Sequence, residues 1–487
     1  MIETRDAVPS AYNTINANRS VGYDMGTALA DIIDNSISAG ATCVSIFTSV
    51  NPFRISIYDN GSGMNQQELD NAMTFGGNEL EKQRGPRDLG RFGLGLKTAS
   101  LSQCKKLTVV TKQDGVLIGG CWDIDYLKLH NTWAYQVVPL DECKKLCNET
   151  LLAHEDSGTL VLWDEFDTLQ KTSTNTANAF TERIAKAKAH LELVFHRYLQ
   201  GSTDPFIPKL TITINESVLK PNDPFLSNKM PEISPQYEIS FRNQIIKIQP
   251  HKLLYPGKIS DAEKKRLALG QSLLETQGFY VYRNYRLIIW GTWFRLAPKL
   301  DSSKLARIQV DIPNSLDEYW FIDIKKSTVT PPEEIRKQFR QIIYKTVELS
   351  KNTFTRRKAS NRSDLITYWQ RLTDPEGVIT YQINRNHPLL QHFSQSLTEQ
   401  QQGSFSEIIS AIETFIPIPN IQNDLQSDKT IMNETTSEIL GEKNVFTIIN
   451  KLVELGIPFD EIIKMEPVAS YKEFIDAYKK EVLHGKG

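Results

Sequence analysis

The chain has 487 residues and a formal net charge of -2, with 40% hydrophobic and 23% charged residues. That composition is soluble and globular, with apolar mass for roughly two to three domains. Near-neutrality excludes a whole-molecule attraction to nucleic acid, so any such contact has to come from a local patch.

The opening stretch, MIETRDAVPSAYN, has no basic-plus-apolar leader pattern, and no apolar run approaches membrane-spanning length. Five cysteines in a chain this long fit a reducing cytoplasm better than a disulfide scaffold. In ALADIIDNSISAGAT (Ala28 to Thr42), Leu29, Ile32, Ile33 and Ile37 recur at helical spacing. Asp31 and Asn35 share one face of that helix, with Asp34 beside it. A carboxylate and a carboxamide projecting together suit a hard cation such as Mg²⁺, which shares its oxygen ligands with substrate phosphates. The competing reading is an ordinary amphipathic helix with polar residues in solvent.

Cys43 to Phe47 alternates as a strand, and Ile55 to Tyr58 is its expected antiparallel neighbour across a turn at Asn51-Pro52. The second strand runs into Asp59-Asn60-Gly61-Ser62-Gly63-Met64. A carboxylate at a strand end can accept from an exocyclic amine, while two glycines let bare backbone approach a ring. Here the competing reading is a plain turn. A charged segment, Glu79 to Leu89, reads as a lid. Behind it Gly90, Gly93 and Gly95 lead into Leu96-Lys97-Thr98-Ala99-Ser100, a glycine-rich turn at a helix start that exposes N–H groups to phosphate. No Gly-Lys-Ser/Thr closes it as a Walker A loop would, and no strand directly precedes it as in a Rossmann turn.

Further strands are expected at Lys106 to Thr111, Val116 to Trp122 and Thr159 to Trp163, with a long amphipathic helix over Ala179 to Leu199. The whole reads as a mixed sheet with helices on one face. Cys143 and Cys147 share a helix face, as free thiols or as half of a metal site that nothing nearby completes. From about residue 205 the texture turns β-rich, up to Trp320 to Ser327 and a helix from Glu333. The run KNTFTRRKASNR (Lys351 to Arg362) packs Arg356, Arg357, Lys358 and Arg362 together, either as a solvated linker or as a phosphate-backbone contact. Beyond it come a strand at Val378 to Arg385, helices at Ser404 to Thr414, Val445 to Leu455 and Tyr471 to Leu483, and a loose stretch over Asn420 to Thr436. His387 reads as structural.

In this order and spacing the three phrases resemble the Bergerat ATP-binding fold of the GHKL superfamily, which includes gyrase-type topoisomerases, Hsp90-type chaperones, MutL, MORC and sensor kinases. The wording Asp34 to Thr42 looks like MutL, and Gly90 to Lys97 looks more like MORC. Ser157-Gly158-Thr159 supplies the expected late Gly-Thr. The resemblance implies an α+β chain: a Bergerat α/β sandwich (1–203), a gyrase/MutL-type transducer domain (204–350) and a mainly helical C-terminal region (351–487).

It implies ATP and Mg²⁺ as cofactors, with Asp31 as general base and Asn35 as metal ligand. Asp59 would read the adenine amine, with Thr159 beside it through water. Gly61, Gly63 and Met64 would border the base, while Gly90, Arg91, Phe92, Gly93, Leu94, Gly95, Leu96 and Lys97 close over the phosphates. A transducer lysine, Lys325 or Lys326, would reach the terminal phosphate; the later one is the slightly better match. Relatives place Glu at the base position, and Asp31 is one methylene shorter, so slow turnover is expected.

The expected function is a bacterial-type MutL/MORC-like ATPase that couples nucleotide state to homodimer closure. It would act as a DNA-directed clamp with partner proteins in a restriction or defence system. A non-hydrolysing, chaperone-like scaffold is the alternative. A sensor kinase would need a phosphoacceptor histidine ahead of the pocket, and residues 1–27 contain none.

Overall fold

The computed structural model describes residues 9–19, 22–76, 89, 95–148, 150–172, 175–201, 209–229, 235–254, 256–321, 329–360, 366–373, 379–417, 420, 442–454, 456–465, 468, 475 and 478. The chain packs as two compact units, Met1–Lys351 and Asn352–Gly487.

The first unit begins with α1 (Ala11–Arg19) and α2 (Met25–Ser38), then β1 (Cys43–Val50), β2 (Phe53–Asp59), α3 (Gln66–Met73) and α4 (Gly95–Gln103). It continues through β3 (Lys106–Gln113), β4 (Val116–Asp123), α5 (Ile124–His130), β5 (Gln136–Val137), α6 (Leu140–Asn148) and β6 (Gly158–Asp164). Next come α7 (Asp167–Thr172), α8 (Thr176–Val194), α9 (His196–Gln200), β7 (Thr211–Ile214) and β8 (Ser217–Val218). One sheet joins these strands in the order β5-β4-β3-β6-β2-β1-β7-β8. β1 and β2 pair antiparallel, as their alternation and intervening turn predict.

α2, α4 and α8 pack together over one face, where Leu29, Ile33, Val44, Ile57, Trp163 and Leu191 bury their side chains. The other face is also covered in part, contrary to the helices-on-one-face expectation. Tyr58, Val110, Leu160 and Leu162 point there and pack on α6 through Cys143 and Cys147, which act as small buried hydrophobes. β7 is expected in the second domain but pairs in parallel with β1, so the first sheet extends past residue 203. The cause is local: Ile212 and Ile214 are buried, and the alternation that buries them carries the β1 edge one strand further.

A second sheet follows, built from β9 (Tyr237–Phe241), β10 (Gln244–Lys252), β11 (Gly278–Arg283), β12 (Arg286–Thr292) and β13 (Ala306–Ile312), with α10 (Asp261–Ala268) inserted before β11. Its order is β12-β11-β13-β10-β9. α11 (Glu333–Ser360) lies against it through Ile335, Phe339, Ile342 and Ile343. β11 is buried on both faces and alternates between two cores. Phe279 and Val281 join the second sheet's core, while Tyr280 and Tyr282 join the first. The expected helix Ala179 to Leu199 breaks at Phe195, because the shorter α9 turns His196 and Tyr198 towards this strand. His196 Nε2 lies 2.8 Å from Tyr282 Oη, and Tyr198 Oη donates to the Asn284 carbonyl at 2.6 Å. Of the expected strand Trp320 to Ser327, Trp320 and Phe321 form a turn and the remainder lies outside the described residues.

Arg356, Arg357 and Lys358, whose sequence suits a linker, fall on the helical backbone of α11. In the second unit β14 (Trp369–Thr373), missed in the sequence, pairs antiparallel with β15 (Ile379–Ile383). α12 (Pro388–Gln395), α13 (Glu399–Thr414), α14 (Glu442–Glu454) and α15 (Phe459–Ile462) follow. α13 starts earlier than expected because Thr398 and Gln401 form a capping box. His387 is structural: it stacks on Tyr368 with ring centroids 4.1 Å apart and caps α12 through the Leu389 N–H. Asn420 to Thr436 and Tyr471 to Leu483 fall almost wholly outside the described residues. Among the described residues, no helix is long and apolar enough to cross a membrane.

Candidate active site

α2 supplies the first wall. Asp24 caps it, accepting from the Thr27 N–H at 2.8 Å and the Thr27 hydroxyl at 3.0 Å. That start fixes the helix phase: Leu29, Ile32 and Ile33 enter the core, Asp31 is buried at 3% exposure, and Asn35, one turn on, is exposed. Tyr23 Oη donates to Asp31 Oδ2 at 3.1 Å.

The second phrase meets the first through Ser36. Its hydroxyl donates to Asp59 Oδ2 at 2.8 Å, and the Gly61 N–H donates to Asp59 Oδ1 at 2.9 Å. Burial pushes the Asp59 carboxyl above the usual carboxylate range, against the pull of hydrogen bonds from Ser36, Gly61 and the Thr159 backbone. Register sets Asp59 of β2 opposite Thr159 of β6. Thr111 of β3 ties this corner together. Its hydroxyl accepts from the Met64 N–H at 2.9 Å, donates to the Gly158 carbonyl at 3.1 Å and lies 3.2 Å from the Thr159 hydroxyl.

Gly63 has φ +68°, and a Cβ there would sit 1.9 Å from the Lys112 carbonyl oxygen. It is glycine because β3 backbone passes that close. A Cβ on Gly61 would come within 2.9 Å of both Ala39 Cβ and Asp59 Oδ1.

The third phrase arrives at α4. Gly95 is its first residue, and a Cβ there would lie 3.8 Å from Asp31 Oδ2, so the positive end of the helix stands over the carboxylate. Leu96 packs on the first core. Lys97 turns inward: at 1% exposure its Nζ donates to the Ala72 carbonyl at 2.5 Å and lies 5.7 Å from the Phe75 ring centroid. Gly90, Arg91, Phe92, Gly93, Leu94, Lys325 and Lys326 lie outside the described residues. Leu89, just ahead of the glycine run, is held by its own backbone. Its N–H donates to Ser38 Oγ at 3.2 Å, and its carbonyl accepts from Arg283 Nη1 at 3.0 Å.

Thus α2, the end of β2 and the start of α4 converge. Sequence reasoning missed Tyr23, Ser36, Thr111 and Arg286. Ser36 follows Asn35 directly, and only the helix phase reveals that it points at Asp59. Arg286 left one faint signal, a cation opening the otherwise apolar run Leu287-Ile288-Ile289-Trp290.

Comparison with known proteins agrees with this geometry. Residues 23–159 match the family described as histidine kinase-, DNA gyrase B-, and HSP90-like ATPase. The first unit therefore carries an ATP-binding domain of the GHKL type. Within that class the chain is MORC-like. It is 30% identical over 107 residues to ATPase morc-1 of Caenorhabditis elegans, covering 22% of this chain and 12% of that protein. It is 27% identical over 111 residues to ATPase MORC2B of Mus musculus, covering 22% and 11%. The match thus spans about an eighth or less of either relative.

Proposed function

We propose that this protein binds ATP with Mg²⁺ and hydrolyses it slowly, using the cycle to open and close a homodimer that acts on DNA with partner proteins in a defence or restriction setting. One observation carries the reading. Asp31 and Asn35 on α2, Asp59 beneath the same helix through Ser36, and the α4 N-terminus at Gly95 line one place.

The donor set fits the nucleotide. The Asp59 carboxylate already accepts from Ser36, Gly61 and the Thr159 backbone, and of its roughly four lone-pair sites one is left to accept from an exocyclic amine. Thr159 stands beside it for a water-mediated contact. Asn35 presents an exposed oxygen donor of the kind Mg²⁺ takes alongside substrate phosphates; when bound, the ion would neutralise phosphate charge. Asp31 accepts the proton of a water whose oxygen attacks the γ-phosphorus, and the bond to the bridging oxygen of ADP breaks. Lys326 or Lys325 would pair with the charge of the terminal phosphate, an attraction that ends once phosphate has left. In this scheme residues up to 203 bind nucleotide, 204–350 transduce, and 351–487 meet partners, with Arg356, Arg357 and Lys358 as the DNA contact.

The test is steady-state ATP turnover by the full chain and by Asp31→Ala, with nucleotide binding measured in parallel. The variant is expected to bind ATP and not turn it over. Equal turnover by the two proteins removes Asp31 from the chemistry, and no turnover by the unaltered protein favours the scaffold alternative.

A further inference from the structure

We infer that one end of the second sheet holds the phosphate backbone of duplex DNA, at a site separate from the nucleotide pocket and from Arg356, Arg357 and Lys358. The inference rests on the DNA-directed part of the reading above and names a surface that meets the duplex.

Strand register fixes what gathers at this end. Lys252, closing β10, pairs with Ala306 at the start of β13. Gly278, opening β11, pairs with Arg307, and Phe279 faces Thr292 at the end of β12. The two long connections, 253–277 and 293–305, therefore leave from this end and return to it. With Lys252 they carry eight basic residues and four acidic ones, in a chain whose formal net charge is -2. The opposite end is the β11–β12 hairpin, which delivers Arg286 to the nucleotide side, its Nε 2.8 Å from Asp34 Oδ1. The six residues of β11, roughly 20 Å of strand, separate the two ends.

All four acids already have a cation. Asp261 pairs with Lys264 at 2.7 Å, Glu263 with Lys229 at 2.6 Å, Glu275 with Lys299 at 3.1 Å and Asp301 with Lys304 at 2.7 Å. Lys252, Lys258, Lys265, Arg266 and Arg295 are left without a carboxylate among the described residues. Lys258, Lys265, Arg266 and Arg295 are exposed and Lys252 is half-buried. Arg266 donates to the Pro221 carbonyl at 2.7 Å, a neutral partner that holds the guanidinium without cancelling its charge.

Buried hydrogen bonds fix the backbone under these cations. Gln277 is wholly buried: its amide donates to the Leu300 carbonyl at 3.2 Å, and its oxygen accepts from Trp293 Nε1 at 3.2 Å and Ser303 Oγ at 2.6 Å. Arg307, equally buried, donates through Nη2 to the Leu267 carbonyl of α10 at 2.6 Å and to the Thr276 hydroxyl at 2.8 Å. Both connections are thereby tied to the sheet, so little backbone freedom is lost when a ligand is met.

The occupant follows from the spread of the charges and from the side chains around them. The ends of β12, β11, β13 and β10 lie side by side over about 15 Å, a length on which one DNA strand carries roughly four phosphates. Cations in a row suit a regular polyanion better than a small anion, which needs converging donors. Among the described residues, none of the exposed large hydrophobics lies in either connection. A membrane surface calls for apolar side chains to insert, and a single strand calls for aromatic faces on which bases stack. A polar, cationic surface without either fits a duplex backbone, contacted without regard to sequence.

The experiment measures binding of the full chain to two short duplexes of unrelated sequence across a salt series. The quadruple variant Lys252→Gln/Lys258→Gln/Lys265→Gln/Arg295→Gln is compared with the parent and with Lys128→Gln/Lys144→Gln/Lys186→Gln, which removes exposed lysines elsewhere. In the quadruple variant the slope of log affinity against log salt should shrink by about 3, equally on both duplexes, with affinity at physiological salt at least about tenfold weaker. The control should lose less than about 1 from its slope. ATP turnover without DNA, and thermal melting, should match the parent. Should the quadruple variant melt early, the exposed pair Lys258→Gln/Lys265→Gln decides, with about 2 lost from the slope.

An unchanged slope in these variants, alongside a reduced one in Arg356→Ala/Arg357→Ala/Lys358→Ala, overturns this inference and leaves the DNA reading standing. No salt-sensitive retention of DNA by the parent sinks both. A loss in the control as large as in the quadruple variant, tighter binding to a single strand of equal length, or capture by phosphatidylserine vesicles in place of DNA would each overturn the duplex assignment.

Discussion

Asp59 and Thr159 stand opposite one another in register on the adjacent antiparallel strands β2 and β6, although they lie far apart in the sequence. The pairing puts a carboxylate and a hydroxyl at one corner of the sheet, where Ser36 reaches down from α2 to the carboxylate and Thr111 ties the hydroxyl to β3.

Adenine recognition by Asp59 has a testable pH signature. Burial raises its pKa above the ordinary value, and only the ionised form accepts from an amine with both oxygens. ATP affinity should therefore be full at neutral pH and fall as pH drops through a window lying above the ordinary carboxylate range. Asp59→Asn should weaken binding by about 2 kcal/mol, roughly thirtyfold, at neutral pH. Titration calorimetry with ATP checks both; affinity unaltered in the variant would remove Asp59 from the base pocket.

Gly63 should tolerate no side chain. Its φ of +68° disfavours one, and the Lys112 carbonyl oxygen already occupies the space a methyl would take, 1.9 Å from the Cβ position. Gly63→Ala should cost about 2–4 kcal/mol, summing backbone strain and overpacking. Gly76→Ala is a useful contrast. Its φ of +69° is equally left-handed, but among the described residues nothing lies within 4 Å of its Cβ position, so the smaller strain cost is expected. Equal losses in urea melts of the two variants would show that the β3 contact does not matter.

Why the pocket could be read in the sequence follows from its construction. Asp31 and Asn35 share a face because helical periodicity is local, and Asp59 with its glycines marks a strand end for the same reason. What stayed hidden depends on tertiary packing. Ser36 matters because α2 lies over β2, and Arg286 because β11 and β12 stack on α8 and α9. Lys97 looks like a phosphate ligand by position in its motif, yet its ammonium lies on the Ala72 carbonyl, a choice made by how α3 and α4 meet. β7 looks like the start of a new domain because the sequence turns β-rich from about residue 205. A free edge on β1 decided where it went.

The proposed dimer cycle predicts a nucleotide-dependent mass. A non-hydrolysable ATP analogue with Mg²⁺ should shift the protein from monomer to dimer in light scattering, and ADP should not. If Arg356, Arg357 and Lys358 contact phosphates, replacing all three with Ala should reduce the slope of log affinity for duplex DNA against log salt by about 2–3. A mass indifferent to nucleotide would count against closure, and an unchanged slope would remove these side chains from the DNA contact.

Acid should weaken the second sheet by a route independent of the pocket. His251 stacks on Phe225 with centroids 4.1 Å apart, and burial lowers its pKa from the ordinary 6.5 to about 4. The native state therefore resists protonation where the unfolded chain accepts it. The neutral ring's contribution is complete above pH 6.5 and drains away as pH falls towards 4, reaching about 3 kcal/mol at the lower end. His251→Phe keeps an aromatic ring against Phe225 and removes the titration. The variant should lose less stability than the parent between pH 7 and pH 4.5, read as the difference in urea midpoints, because every other titrating group is common to both. Parallel stability curves for the two proteins would show that His251 is not held neutral by its surroundings.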